Sequence, residues 1–117
     1  MKYTDQQRLQ KIYDYSVKLL ETIETLHITS DKLLSDVPSQ WLVTTPLYNI
    51  GEHVSHLSAD FKAAHSTVPW ELISGLRHRL VHDYDGTNWN LIVKIIFRDI
   101  PILIDQIESF KEKKFER

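Results

Sequence analysis

Apolar residues recur every three or four positions along most of the chain, and that period reads as helix throughout. Leu9, Ile12, Tyr13, Val17, Leu20, Ile23 and Leu26 form one such stripe, with Thr4 or Asp5 placed to cap it, so a first helix is expected to about His27. Thr29-Ser30-Asp31 breaks the pattern, and Ser30 or Asp31 can cap a short helix through Leu33 and Leu34. Pro38 and Ser39 mark another break. From about Gln40 a long helix is expected to reach His65, with Trp41, Leu42, Leu47, Ile50, Val54, Leu57 and Phe61 on its apolar face. Pro46 lies inside that stretch and should kink it or mark its true start. Ser66-Thr67-Val68-Pro69 is the next break, with Pro69 suited to a first helical turn. Trp70, Ile73, Leu76 and Leu80 then make the buried side of a helix that Asp85-Gly86-Thr87-Asn88 ends. Trp89, Ile92, Val93, Ile96, Ile100, Leu103, Ile104, Ile107 and Phe110 trace a final helix, bent near Pro101. The end, Lys111 to Arg117, is polar and expected to fray. No strand alternation, internal repeat or linker is visible. The expectation is one all-α domain, residues 1–117, an antiparallel bundle of four main helices with one short helical turn besides.

Composition agrees with that picture and narrows the chemistry. A chain of 117 residues that is 42% hydrophobic and 26% charged is ordinary for one soluble globular domain. It has only 3 Gly and 4 Pro, which favours long regular elements, and no Cys, which excludes disulfides and thiolate metal sites. Met1 to Gln7 lacks the apolar core of a signal peptide, and no apolar run approaches a membrane span, so a cytoplasmic protein without a membrane partner is expected. The formal net charge is −2. Bulk nonspecific nucleic-acid binding relies on a net basic field, so any such role must rest on a local patch. Arg77 and Arg79 supply its centre, and Lys94 and Arg98 on the final helix extend it.

The richest chemistry lies in Gly75-Leu76-Arg77-His78-Arg79-Leu80-Val81-His82-Asp83-Tyr84. Leu76, Leu80 and Val81 anchor one face of a helix while the other carries charge. Arginine offers a permanently charged fork that fits phosphate oxygens, and histidine takes and gives protons near neutral pH. A phosphate binder beside an acid–base group is what phosphodiester cleavage needs. Arg77 and His82 are five residues apart, about 140° around a regular helix, so a single helix does not bring them to one face. A relaxed last turn or a second copy of the helix across a two-fold axis would. For an isolated pair of this kind, a histidine that merely complements the helix dipole, beside solvated arginines, is the commoner case.

The longer context resembles a family. Pro69-Trp70 followed by the Gly75–Tyr84 stretch, together with the earlier Leu47-Tyr48-Asn49-Ile50-Gly51-Glu52, is similar to the HepT branch of the HEPN domains. These are small all-helical proteins marked by Arg, a polar residue, three more residues and His, with a Tyr two positions on. The resemblance spans roughly the whole chain in helix order. It implies a metal-independent RNA endonuclease that needs no cofactor and is the toxin of a toxin–antitoxin pair. The antitoxin it implies is a minimal nucleotidyltransferase that can transfer AMP to the toxin's tyrosine. Carried over by motif, Arg77 and His82 are the catalytic pair, His78 fills the polar position, and Tyr84 is the modified residue. His78, Arg79 and Glu52 would support the substrate, Glu52 by pairing with an arginine of the motif helix. The polar position is more often Asn in close relatives, Asp83 stands where Gly is frequent, and Pro46 lies where an Arg is often near. These departures bear on substrate and antitoxin fit. A symmetric homodimer with the motif helices near its axis follows from both the Arg77–His82 angle and the resemblance, with the final helix expected to give apolar residues to the interface.

Two other readings stand beside this one. A noncatalytic HEPN module binding a nucleotide or a partner is the alternative that acidic Asp83 and the net charge favour. His53 and His56, with His78 and His82, are of the type that could hold a metal between facing helices. Nothing in the sequence sets those helices at matching depth, and ordinary surface or half-buried histidines are the commoner outcome. Trp70 and Trp89 are expected in the core, although aromatics such as Tyr13, Tyr15 and Tyr48 are also of the kind that stack on bases.

Overall fold

A computed structural model describes residues 3–81 and 86–115. All regular structure among them is helical. In chain order the helices are α1 (Asp5–Thr25), α2 (Ser30–Ser35), α3 (Val37–Ser55), α4 (Ala59–Ala64), α5 (Trp70–Ser74), α6 (Leu76–Val81), α7 (Trp89–Lys94) and α8 (Ile100–Phe115). A π-helical turn, Ile95–Asp99, joins α7 to α8.

α1 starts where its cap predicts. Thr4 Oγ1 accepts the Gln7 amide and the Gln7 side chain accepts the Thr4 amide, a reciprocal capping box. It ends two residues before His27 by a device the sequence hides. His27 adopts φ 54°, the Ile28 amide reaches back to the Ile23 carbonyl (2.9 Å) and the His27 amide to that of Glu24 (3.2 Å). That is a Schellman closure with histidine where glycine is usual, and buried Ile23 and Ile28 supply its apolar contact. Thr29 caps α2, one residue before the candidates Ser30 and Asp31.

α3 is the hub, packing on α1, α2, α5 and α6. It begins earlier than expected, with Asp36 accepting the Ser39 amide (3.2 Å) and Pro38 in the first turn, where a missing N–H costs nothing. Its buried stripe is Ser39, Val43, Leu47, Ile50, Gly51 and Val54, so Trp41, about 200° from Val43, points outward and is 61% exposed. Leu42 is likewise exposed, so neither belongs to the buried face assigned to it. Pro46 does not start the helix but lies within it, denying the Leu42 carbonyl a partner. The expected continuous helix to His65 is two helices. Ser58 ends it by capping α4, accepting the Phe61 amide, while its own amide and hydroxyl donate to the Asp5 carboxylate (2.9 and 2.6 Å).

Trp70, Ile73, Leu76 and Leu80 are buried as the period requires, and Trp89 is partly buried against the same core. Each such side chain contributes roughly 1.5–3 kcal/mol of burial. The final stretch passes through the π turn just before Pro101. Pro101 cannot donate to the Phe97 carbonyl and its ring would press on it. The π turn relieves this, the Ile100 amide reaching back five residues to Ile95. Ile92, Ile95, Ile96, Ile100, Leu103 and Ile107 all face inward across that joint. Phe97 and Ile102 remain exposed on this element.

Candidate active site

The C-terminal end of α3 and the start of α6 meet at Gly51. A Cβ there would lie 2.9 Å from the Arg77 amide nitrogen and 3.1 Å from the Ile73 carbonyl oxygen. Both are backbone atoms, so only glycine lets the two segments approach this closely. α5 and α6 are nearly one helix, jointed at Gly75, whose backbone stays right-handed (φ −65°, ψ −17°).

This seat fixes the backbone of Arg77 against α3, and the next turn of α3 receives its side chain. One Arg77 guanidinium nitrogen donates to Glu52 Oε2 at 3.0 Å and lies 3.5 Å from the Ser55 hydroxyl, which itself donates to the Glu52 carbonyl. Glu52 Oε1 holds His56 Nε2 at 3.0 Å, one turn along the same helix. The pairing of Glu52 with a motif arginine is thus the one Arg77 makes. Burial raises the Glu52 carboxyl, but the hydrogen bond to His56 and the charge and hydrogen bond of Arg77 outweigh it and hold the group below its usual range. Arg77 is half exposed and Glu52 about a third. An exposed pair of this kind is worth only about 0.2–1 kcal/mol, so Glu52 aims the guanidinium without locking it. An arriving phosphate offers a stronger, bidentate partner.

His78 and Arg79 are also exposed on α6. His82 and Tyr84 lie outside the described residues, as do Asp83 and Asp85. The chain returns at Gly86, and the Thr87 hydroxyl donates to the Arg79 carbonyl (3.2 Å). Arg98 turns onto its neighbour Asp99 (3.3 Å), so its charge is met there rather than added to a patch.

The His53-x-x-His56 pair divides. His56 faces Glu52, whereas His53 is buried on the side of α3 that packs on α1. There its Nδ1 lies 3.2 Å from Arg8, and its ring contacts Tyr3 edge-on and stacks on Tyr15. Burial first, then the charges of Arg8 and Lys11, push His53 below the usual histidine range, so it stays neutral and accepts from Arg8. Among the described residues no group of three or more His, Asp or Glu could hold a metal. Ser55 and His56 as partners of the Glu52–Arg77 pair escaped sequence reasoning. The signal was present in the four-residue spacing of Glu52 and His56, which puts them on one helix face.

Residues 9–110 match the family model described as ribonuclease HepT-like. Among curated proteins, a candidate RNase of Caldanaerobacter subterraneus subsp. tengcongensis is 40% identical over 65 residues, 56% of this chain and 58% of that relative's own length. A candidate RNase of Methanocaldococcus jannaschii is 35% identical, covering 84% of this chain and 82% of the relative. The probable ribonuclease HepT of Thermococcus cleftensis is 31% identical, covering 85% and 94%. No solved structure gives a significant match.

Proposed function

The chain belongs to the HepT-like ribonuclease family, and from that premise we propose that it is a metal-independent RNA endonuclease, the toxin of a toxin–antitoxin pair. The observation that carries this beyond the family is the guanidinium of Arg77, aimed by Glu52 and seated by Gly51 at an accessible surface. In this reading His82 takes the proton of an RNA 2′-hydroxyl. The oxygen then attacks the adjacent phosphorus, a 2′-O–P bond forms and the P–O5′ bond breaks. A proton passes to the departing 5′-oxygen, leaving a cyclic phosphate and a 5′-hydroxyl. Arg77 offsets the charge that builds on the phosphoryl oxygens, with His78 and Arg79 steering the strand. The nucleophile comes with the substrate, so the scheme requires no metal.

A two-fold homodimer supplies the composite cleft, since Arg77 and His82 diverge on one regular helix. The partner is a minimal nucleotidyltransferase antitoxin. AMP transferred to Tyr84 would set a bulky anion beside Arg77 and Arg79 and close the site to phosphate.

The test is cleavage of labelled RNA by purified protein in the presence of a chelator. Wild type cleaves, while Arg77→Ala and His82→Ala each lose on the order of a hundredfold or more. A His82→Ala protein as fast as wild type would defeat the mechanism. Absence of any wild-type cleavage would leave the noncatalytic binding module, and dependence on added metal would return attention to the histidines. Mass spectrometry after co-expression with the nucleotidyltransferase reads Tyr84, and sedimentation at micromolar concentration reads the dimer.

A further inference from the structure

The richest feature outside the Arg77 site lies on the opposite flank of α3. Arg8, Lys11, Tyr15 and Lys18 follow one another at spacings of three, four and three along α1, so they share one stripe about 15 Å long. Two of its cations converge on a single ring: the Arg8 guanidinium carbon lies 5.3 Å and the Lys11 ammonium 5.1 Å from the centre of Tyr3. Neutral His53 holds Arg8 in place from beneath. Beside them Lys11, Asp14, Tyr15 and Lys18 line a depression of about 200 Å³.

Among the described residues neither Arg8 nor Lys11 pairs with a carboxylate. Of the nearby acids, Asp5 accepts from Ser58 while feeling the charge of Arg8, and Asp14, on the rim of the depression, accepts the Gln10 amide (2.9 Å). Adjacent like charges held over an aromatic surface, in a chain of net charge −2, call for an anion with a flat group attached.

We propose that this stripe is a second subsite for the substrate, binding the phosphates and a base of single-stranded RNA several nucleotides from the scissile bond. The inference rests on the ribonuclease reading. Around α3, Gly51 faces Arg77 and His53 faces Arg8, with partly exposed Glu52 on the ridge between. At helix spacings of about 8–10 Å, the axes of α1 and α6 on either side of α3 stand up to roughly 16–20 Å apart, and the two cationic sites lie within that span. A flexible single strand can span this distance; its phosphates would meet Arg77 on one side and Lys11 and Arg8 on the other, and Tyr3 or Tyr15 would take a base.

The experiment measures binding of a fluorescent single-stranded 2′-O-methyl RNA of about 20 nucleotides, which lacks the attacking hydroxyl. Lys11→Gln is the main variant, since its side chain makes no hydrogen bond to the core, and Lys18→Gln is the second; matched melting curves confirm folding. Each should weaken binding about three- to tenfold and lower the salt dependence by about 0.7 per lost phosphate contact. With cleavable RNA, the Lys11→Gln protein should show a raised KM on long strands, an unchanged kcat and an unchanged rate on a dinucleotide. Folded variants with wild-type affinity and salt slope overturn the subsite. So does a Lys11→Glu protein that keeps its RNA affinity but no longer retains a co-expressed nucleotidyltransferase, since the stripe is then a protein dock. Binding that depends on Lys11 without any wild-type cleavage upholds the subsite and defeats the nuclease reading instead.

Discussion

Replacing Gly51 with alanine isolates the seat of the site from its chemistry. The new methyl would sit 2.9 Å from the Arg77 amide nitrogen, against ordinary contact at 3.4 Å or more, so α3 and the α5–α6 joint must part by about 0.5 Å. Such overpacking costs about 1–3 kcal/mol. Alanine returns about 0.5–1 kcal/mol of helix propensity. The net is a loss of up to about 2.5 kcal/mol, centred near 1, which corresponds to a melting temperature lower by roughly 4 °C for a domain of this size. Activity should suffer more than stability suggests. The clash falls on the backbone of Arg77 itself, and a misplacement of 1 Å can cost about a hundredfold, so half of that predicts about tenfold in kcat. Gly75→Ala is the control. A Cβ there meets the Glu71 carbonyl at 3.3 Å, only about 0.1 Å inside ordinary contact, on a right-handed helical backbone, so that variant should stay within about 0.5–1 kcal/mol of wild type. Differential scanning fluorimetry and initial cleavage rates on both proteins decide it. A Gly51→Ala protein that melts with wild type and cleaves at full rate would refute the close-approach argument.

Further outcomes follow from the caps and the titrating groups. His27→Gly should raise stability by about 0.5–1 kcal/mol, because His27 is held at φ 54°. Ser58→Ala should cost about 1–2 kcal/mol, since it removes both the α4 cap and the hydroxyl bond to Asp5. Asp5 and Asp36 are lowered by their bonds to Ser58 and Ser39, and Glu52 by His56 and Arg77. Their contribution is complete above the ordinary carboxylate values of 3.8 and 4.5 and is lost as pH falls through the lowered folded values, so melting temperature should drop steeply below about pH 4. Buried His53 also has a lowered pKa: stability is full above its ordinary 6.5 and declines as pH falls below it, and His53→Gln should flatten the melting curve's pH dependence just below 6.5.

Much of this was legible because burial imposes a period. The Thr4 cap and the buried side of α5–α6 are set by local spacing and read correctly, whereas the α1 stripe was read in part: Leu9, Ile12 and Ile23 are buried, but Leu26 is exposed and buried Ser16 and Leu19 were not assigned to it. The break at Ser58 was hidden because Leu57 and Phe61 keep the helical phase across it, and no glycine or proline marks the stop. What ends α3 is a contact with Asp5, 53 residues away, that no local rule reports. Trp41 misled for the opposite reason: it is apolar, yet it lies outside the phase of Val43 and Leu47. At the site, the types of Glu52 and Arg77 suggested a pair, but their meeting depends on Gly51 bringing two helices together. The stripe on α1 went unread because three cations and a tyrosine on an exposed helix look like any solvated face until Tyr3 and His53 fold against them.

The π turn at Ile95–Asp99 bears on how this chain can tolerate changes of length. In a regular helix, losing one residue rotates everything after it by about 100° and turns a buried face to water. Here the joint already holds one residue more than an α-helix would. Excising exposed Phe97 would remove that surplus and leave Ile100, Leu103 and Ile107 pointing where they point now. Pro101 would then face a regular turn, so the deletion should be tolerated only together with Pro101→Ala. The same excision inside α3 would swing Val43, Leu47 and Ile50 out of register with Gly51. The molecule therefore has one element whose length is negotiable and one whose count of residues is fixed.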